Sequence, residues 1–246
     1  MATRYSPRIV KSGLVMCLDA HNARSYPGSG TAWYDLSGNW NKCTLSGTTF
    51  SAADTVSGAD KVLVARMVFS HADDGVFGGK HINACTQTSM CWVRRTGDSG
   101  GTQTHIWGNA SASSETGFQI RADESSSFRA QYLQFKGASG DSAFDLTGSS
   151  GSELTLNTWV CVAVSWDNTT TSNAVKIYIN GELHTAGTSN AGSVSETSSK
   201  NTWIGDIDNA NRGFVGEVGY FLAYNRQLTN EEVLQNYNAH KGRFGL

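Results

Sequence analysis

The chain has 246 residues, with 19 Lys and Arg against 21 Asp and Glu, and a formal net charge of −2. This near-neutral balance excludes the long-range positive field that non-specific binding to nucleic acid or to an anionic membrane requires. No stretch approaches the ~20 apolar residues that cross a bilayer. Residues 1–13 carry no apolar segment typical of a signal peptide, so we expect the protein to stay where it is made.

Ser, Thr and Gly make up about a third of the chain, whereas charged residues are only 16%. Ser and Thr favour strands and turns over helix interiors, and Gly supplies turn positions with positive φ. An all-β sandwich commonly reaches roughly 200–250 residues as one unit. The sequence therefore predicts one domain over residues 13–246, preceded by a flexible N-terminal arm over residues 1–12.

Short runs of alternating apolar and polar residues recur along the chain, separated by Gly, Asn, Asp or Ser. They cover residues 14–18, 61–69, 89–95, 105–107, 117–121, 129–135, 158–166, 174–180, 201–205 and 213–224. The polar segments 109–115, 136–152 and 185–199 are interpreted as loops. This spacing predicts an antiparallel two-sheet sandwich.

The dipeptide Asn180-Gly181 lies between two segments rich in strand-forming residues. Both residues accept positive φ, which a two-residue hairpin turn requires. The sequence predicts a tight turn at this point.

One helix is predicted near the end of the chain, over residues 228–237. Thr229 and Glu232 have the spacing of a capping box, in which each side chain binds the other residue's backbone amide. Leu228 and Val233 are placed to pack on each other around that cap. We expect the helix to dock on an edge of the sandwich.

Five cysteines are present, and no two have Cys-x-x-Cys spacing, which argues against a zinc-ribbon or redox motif. Cys17, Cys91 and Cys161 lie in apolar runs, where we interpret them as buried free thiols. A disulfide between Cys85 and Cys91 remains the alternative.

Several segments, in this order, resemble the concanavalin A-like, laminin G-like jelly-roll family. They are SMCWVRR (89–95), WVCVAVSWD (159–167), VKIYING (175–181), WIG (203–205), FVGEV (214–218) and YNRQLTNEEV (224–233). The resemblance covers roughly residues 85–240 and implies a jelly-roll sandwich with a short C-terminal helix.

Both ends of the chain resemble virion proteins of tailed bacteriophages, especially those of aquatic hosts. The segments concerned are GLVMCLDA (13–20), SYPGSG (25–30), WYDLSGN (33–39) and VLQNYNAHKGRFGL (233–246). The resemblance implies a virion component assembled in the host cytoplasm. Those relatives continue with a Gly/Asn-rich segment where this chain has residues 40–43, so no role for this loop is carried over.

Glycosidases share this sandwich, but retaining hydrolysis needs two carboxyl groups about 5 Å apart. The family's motif of two Glu flanking an Asp at alternating positions does not occur in this sequence. Asp123 and Glu124 are adjacent and face opposite sides of a strand, and Asp73 and Asp74 precede a Gly in a predicted turn. His105 is interpreted as a strand residue with an ordinary hydrogen bond. We therefore expect no catalytic residues and no enzyme activity.

Two candidate ligand sites follow from the polar segments. Asp206, Asp208 and Asn211 place oxygen ligands after a predicted strand, which suits calcium, although a turn with side-chain-to-backbone hydrogen bonds explains them equally. No other cofactor is expected.

Trp40, between Asn39 and Asn41 in a polar loop, is the candidate for stacking on a sugar ring, with the amides pairing to hydroxyl groups. The alternative is that Trp40 folds over the sandwich edge or lies in a subunit contact. The remaining candidates, Trp92, Trp159, Trp166 and Trp203, are interpreted as core residues in strands.

The leading hypothesis is a non-enzymatic phage virion structural protein, either a capsid decoration (cement) protein or a head, tail or fibre component. Its expected partners are other virion proteins and, through edge strands, itself. The alternative hypothesis is an adhesin that binds a glycan of the host surface.

Overall fold

The computed structural model describes residues 8–52, 66–70, 74–77, 87–97, 103–108, 119–125, 129–130, 132–136, 143–147, 154–167, 175–187, 202–205 and 213–246. No helix in these ranges is long and apolar enough to span a membrane.

Seventeen strands of the described residues form two antiparallel sheets. The first nine are β1 (Leu14–Asp19), β2 (Ala32–Tyr34), β3 (Lys42–Ser46), β4 (Thr49–Ser51), β5 (Arg66–Phe69), β6 (Asp74–Phe77), β7 (Gln87–Arg95), β8 (Gln103–Gly108) and β9 (Gln119–Ser125). The other eight are β10 (Arg129–Ala130), β11 (Tyr132–Lys136), β12 (Ala143–Thr147), β13 (Trp159–Trp166), β14 (Val175–Ile179), β15 (Glu182–Gly187), β16 (Thr202–Ile204) and β17 (Gly216–Tyr224). The predicted antiparallel two-sheet sandwich is confirmed.

The eight-stranded sheet has the order β15-β14-β13-β7-β17-β5-β4, and β1 pairs with the second half of β17. The nine-stranded sheet has the order β12-β11-β9-β8-β16-β6-β3-β2, and β10 pairs with β9. β2 is therefore an end strand of the nine-stranded sheet, and β15 is an end strand of the eight-stranded sheet.

Strand β13 is buried on both of its faces. Val160, Val162 and Val164 join the core between the two sheets. Trp159 and Cys161 point the other way, into a second apolar cluster that also contains residues of the C-terminal helix. A strand covered on both sides needs no polar face, which explains the continuous apolar run of this segment.

That second cluster is covered by α1 (Asn230–His240) and by a short 3-10 helix, Lys241–Arg243. The capping box is present, since Thr229 Oγ1 accepts from Glu232 N at 3.3 Å and the Glu232 carboxylate accepts from Thr229 N at 3.0 Å. Leu228 and Val233 are both buried in the cluster. The predicted helix start is confirmed, and the helix continues three residues past its predicted end. The expected docking on an edge of the sandwich is wrong, because the helix lies on the outer face of the eight-stranded sheet, where Tyr237 stacks on Trp92 of the central strand β7.

The predicted turn at Asn180-Gly181 is also confirmed. The φ angles are 51° at Asn180 and 83° at Gly181, and β14 pairs with β15 across the turn. The Asn180 side chain accepts a hydrogen bond from Cys161 N at 3.0 Å, which fastens the turn to the adjacent strand β13.

Six strands lie outside the predicted runs, namely β2, β3, β4, β6, β12 and β15. The expected loops 136–152 and 185–199 overlap strands at Ala143–Thr147 and Glu182–Gly187, and Asp74 begins a strand instead of lying in a turn. These strands have only three to six residues, and most carry several polar residues, so pairing with neighbouring strands decides their structure.

Residues 8–12, the described part of the predicted arm, are held against the domain. The Val10 backbone amide donates to Asn236 Oδ1 at 2.8 Å, and Tyr224 Oη donates to the Val10 carbonyl at 3.0 Å. Val10 itself is buried in the second cluster. Residues 8–12 therefore complete the covering of the second cluster beside α1, and the arm expected over residues 1–12 stays a prediction, with residues 1–7 outside the described ranges.

Cys17, Cys43, Cys91 and Cys161 are buried free thiols, as the sequence predicts for the three in apolar runs. Burial raises the pKa of Cys91 and of Cys161 well above its ordinary value and raises the pKa of Cys17 to about 11. These thiols are therefore poor nucleophiles at neutral pH. Cys85 lies outside the described residues.

Candidate functional site

The predicted sugar-binding residues lie in the loop that joins β2 to β3, residues 35–41, which we call the Trp40 loop. At the base of the loop, Trp33 pairs with Cys43 and both side chains are fully buried in the core. The next pair, Tyr34 with Lys42, is exposed. The loop therefore connects two strands, β2 and β3, at the end of the nine-stranded sheet. This two-stranded ribbon is anchored in the core by Trp33 and Cys43.

Asp35 holds the loop together. Its Oδ1 accepts from Cys17 N and from Ser37 N, both at 2.8 Å. Its Oδ2 accepts from Ser37 Oγ at 2.6 Å and from Asn41 Nδ2 at 3.0 Å. Because Cys17 belongs to β1, this carboxylate fixes the loop to the other sheet.

Asn39 and Asn41 are engaged within the structure. Asn41 is buried, and its Nδ2 donates to the Val15 carbonyl at 2.8 Å as well as to Asp35. Asn39 Nδ2 donates to the same carbonyl at 3.1 Å and to Ser37 Oγ at 2.9 Å. Both amide nitrogens thus fasten the loop to β1, and a direct contact of these residues with a ligand stays a prediction.

Trp40 is the most exposed large apolar residue of the described chain, with 93% of its surface accessible. It does not fold over the sandwich edge. Its φ is 60°, a left-handed conformation that costs a residue with a β-carbon about 1–2 kcal/mol. The hydrogen bonds around Asp35 hold this conformation, so the loop presents a large aromatic side chain to solvent from a fixed backbone.

The other tryptophans considered from the sequence occupy structural positions. Trp92, Trp159 and Trp166 are buried, as predicted, and Trp203 is half-buried in β16.

The predicted calcium ligands Asp206, Asp208 and Asn211 lie outside the described residues. Within the described ranges, no three His, Cys, Asp or Glu side chains form a group that could hold a metal ion.

A groove with a volume of about 570 Å³ lies between the β14–β15 hairpin and α1. Asn180, Glu182 and Lys241 supply polar groups, and the half-exposed Leu183 and Leu234 supply apolar surface. The sequence analysis missed this groove because its two walls are about fifty residues apart in the chain. The signal available in the sequence was Leu234, an apolar residue that the helix leaves exposed.

The best-buried carboxylate of the described residues is structural. Glu217 lies between Arg66, at 2.7 Å from the Arg66 Nε, and Arg94, at 3.0 Å from the Arg94 Nη1. On the surface, Arg226 pairs with Glu232 at 2.6 Å, and this hydrogen bond lowers the pKa of Glu232. Both carboxylates are therefore engaged with arginine side chains.

Residues 72–234 match the laminin G-like family model described as Concanavalin A-like lectin/glucanases superfamily. The match covers more than half of the chain, and the sandwich has the architecture expected of that class. The chain belongs to the concanavalin A-like lectin/glucanases superfamily. No curated protein sequence matches it significantly.

Several solved structures share the fold at low sequence identity. Domain 4 of AbnA, an extracellular GH43 arabinanase from Geobacillus stearothermophilus in complex with arabinotriose, is 16% identical, with a TM-score of 0.66, and 92% of this chain covers 98% of that one. The binding domain of Paraclostridial Mosquitocidal Protein 1 is also 16% identical, with a TM-score of 0.66, covering 94% of this chain and 53% of that chain. Trypanosoma rangeli sialidase in complex with 2,3-difluorosialic acid is 14% identical, with a TM-score of 0.59. The similarity covers 98% of this chain and 36% of the sialidase chain. This chain thus spans nearly all of the first structure, about half of the second and a third of the sialidase.

Proposed function

We propose that this protein is a non-enzymatic carbohydrate-binding domain that contacts its ligand through the Trp40 loop. The observation that carries the proposal is a tryptophan that is 93% exposed on a loop whose other side chains are hydrogen-bonded inward. An exposed aromatic plane on a rigid support covers the apolar face of a sugar ring at low entropic cost. The similarity to the arabinanase domain bound to arabinotriose supports a glycan as the ligand class.

The absence of catalysis is part of the same proposal. The proposal that the protein is not an enzyme is supported by the partners of its carboxylates. Glu217, Glu232 and Asp19 are each paired with an arginine, and Asp35 accepts hydrogen bonds from within the loop. A glycosidase keeps one carboxyl group protonated to serve as general acid, and an arginine partner opposes this by stabilising the ionised form.

We further propose that the domain is a structural component of a tailed-phage particle, as a capsid decoration protein or as part of the head, tail or fibre, assembled in the host cytoplasm. The segments that resemble virion proteins are brought together in the fold. Cys17 N donates to Asp35 Oδ1 at 2.8 Å, which joins residues 13–20 to residues 33–39, and Arg243 pairs with Asp19 at 2.7 Å, which joins residues 233–246 to the first segment. Such a decorated particle could display the Trp40 loop toward the polysaccharide of a host surface.

A glycan array with the wild-type protein and Trp40→Ala tests the binding proposal. We expect the wild type to bind a defined set of glycans and Trp40→Ala to lose about tenfold in affinity, taking as a guide the roughly 1–3 kcal/mol that a nucleobase gains by stacking on an aromatic side chain. Leu156→Ala removes another exposed apolar side chain and should bind normally. Equal binding by wild type and Trp40→Ala, or no binding by the wild type, contradicts the proposal.

Electron microscopy of particles labelled with an antibody to this chain tests the structural role. Labelling at one defined position of a tailed particle supports it. Particles that carry no label, while the chain is present in the infected cell, contradict it and leave the glycan-binding proposal intact.

A further inference from the structure

We propose that Tyr34, Trp40 and Lys42 form one site that selects acidic carbohydrate, meaning a sugar that carries a carboxylate or sulfate group. The inference rests on the proposed glycan-binding function and adds the charge of the ligand.

Tyr34 and Lys42 are directly opposite each other on antiparallel strands, so their side chains lie on the same face of the ribbon. The preceding pair, Trp33 and Cys43, faces the core and is fully buried, which leaves the Tyr34–Lys42 face toward solvent. Tyr34 is 46% exposed, and Lys42 is exposed as well. A phenol ring and an ammonium group are therefore neighbours at the open edge of the nine-stranded sheet.

Trp40 belongs to the same surface. Only Asn41 separates it from Lys42, so the two Cα atoms are within about 7 Å even for a fully extended backbone. A tryptophan and a lysine side chain both reach several ångströms beyond their Cα atoms. One monosaccharide can therefore contact the indole and the ammonium group together.

Lys42 supplies the positive charge of this surface. Among the described residues, the Lys42 side chain has no carboxylate partner. The nearest acidic residue in the loop, Asp35, is half-buried and accepts hydrogen bonds from Cys17, Ser37 and Asn41, which stabilise its charge inside the loop. Asp35 is thereby directed away from solvent, whereas Lys42 offers three N–H donors to a ligand.

This combination fits an acidic sugar better than a neutral one. The aromatic rings bind the C–H face of a pyranose, which neutral and acidic sugars share. The ammonium group gains a charge-assisted hydrogen bond only when the sugar carries an anionic substituent. Because the pair is exposed, we expect charge to add about threefold to fivefold in affinity, and salt to weaken that part.

Isothermal titration with matched oligosaccharides tests the inference. The probes are a uronate oligosaccharide, its methyl-esterified neutral form, and a sulfated oligosaccharide with its neutral parent, each at about 20 mM and 300 mM NaCl. We expect tighter binding of an acidic form at low salt, lost in Lys42→Gln and retained in Lys42→Arg. Lys176→Gln, which removes a half-exposed lysine from β14 in the other sheet, is the matched control and should bind as the wild type does.

The outcomes separate the two proposals. A preference for the carboxylated or for the sulfated probe, lost in Lys42→Gln, supports the inference and identifies the anionic group. Equal affinity for acidic and neutral forms, with binding lost in Trp40→Ala, overturns the inference while the glycan-binding function stands. No binding of any probe, together with an empty glycan array, overturns both.

Discussion

Phe244 lies flat against Trp92, with ring centroids 4.4 Å apart and ring planes 5° from parallel. Trp92 belongs to the central strand β7, and Phe244 follows the last helical turn of the chain. Phe244 also meets the edge of Trp159 at 4.9 Å and rests on Gly219, where an added Cβ would lie 2.5 Å from the ring. The end of the chain is therefore part of the second apolar cluster.

Phe244→Ala should lower the free energy of unfolding by about 3–5 kcal/mol, the usual cost of removing a buried phenylalanine ring. Urea unfolding followed by tryptophan fluorescence measures it. Leu246→Ala, two residues further and 38% exposed, is the control and should change the midpoint little. Equal midpoints for both variants would show that the aromatic stack contributes no stability.

Gly181→Ala should destabilise the protein by more than 1 kcal/mol. Gly181 has a φ of 83°, and a Cβ at this position would lie 2.8 Å from the Tyr237 Cβ on α1. The substitution therefore strains the turn and pushes the helix away from the hairpin.

Gly242→Ala is the matched control for that experiment, since no atom lies within 4 Å of a Cβ built there. Thermal unfolding of the two variants measures the difference. A Gly181→Ala protein as stable as Gly242→Ala would mean that the turn and the helix are not in close contact.

The features that the sequence predicted correctly depend on neighbours in the chain. Asn180 and Gly181 define a turn through their own φ preferences, and Thr229 caps a helix through a residue three positions away. Such signals are complete within a few residues. The largely apolar runs of β13 and β17 likewise indicate strands buried on both faces, whichever strands they pair with.

The features that could not be predicted depend on contacts between distant segments. Asn39 and Asn41 are recognisable as polar loop residues, but only the fold shows that their amides bind the Val15 carbonyl of β1. The groove beside Leu183 and Leu234 likewise exists only because the hairpin and the helix meet. Residue type identified Trp40 as a candidate, and the fold supplied its exposure and its neighbours.

Stability should fall as the pH drops from 7 to 5 because of His240. Burial, followed by the charge of Arg243, lowers the His240 pKa to about 4, from 6.5 in the unfolded chain. The unfolded chain thus takes up a proton below pH 6.5 that the folded protein does not accept until pH 4. The free energy of unfolding is highest above pH 6.5 and decreases across this interval, by about 2 kcal/mol between pH 7 and 5.

Urea midpoints at pH 7, 6 and 5 for wild type and His240→Gln measure that contribution. Glu231 and Glu232 also have lowered pKa values, but a carboxylate of this kind loses its contribution only as the pH falls below its unfolded value of 4.5. These two carboxylates therefore contribute little between pH 7 and 5, and the difference between wild type and His240→Gln reports the contribution of His240. A slope as steep in His240→Gln as in the wild type would assign the pH dependence to other groups.

Asp35→Ala should abolish glycan binding as completely as Trp40→Ala, although its side chain is not proposed to touch the ligand. The variant removes the acceptor of hydrogen bonds from Cys17 N, Ser37 N and Asn41 Nδ2, and leaves buried donors unpaired. Each such loss costs about 1–3 kcal/mol, so the loop has less free energy with which to hold the left-handed backbone of Trp40.

The two variants are distinguished by stability and by protease sensitivity. Trp40→Ala should melt like the wild type, because the side chain is 93% exposed, and should resist limited proteolysis in the loop. Asp35→Ala should melt at a lower temperature and be cleaved within residues 35–41, with mass spectrometry locating the cut. If Asp35→Ala keeps full glycan affinity while the loop is cleaved readily, the fixed backbone of Trp40 is not needed for recognition. Loss of binding with both readouts changed instead identifies Asp35 as the residue that positions Trp40.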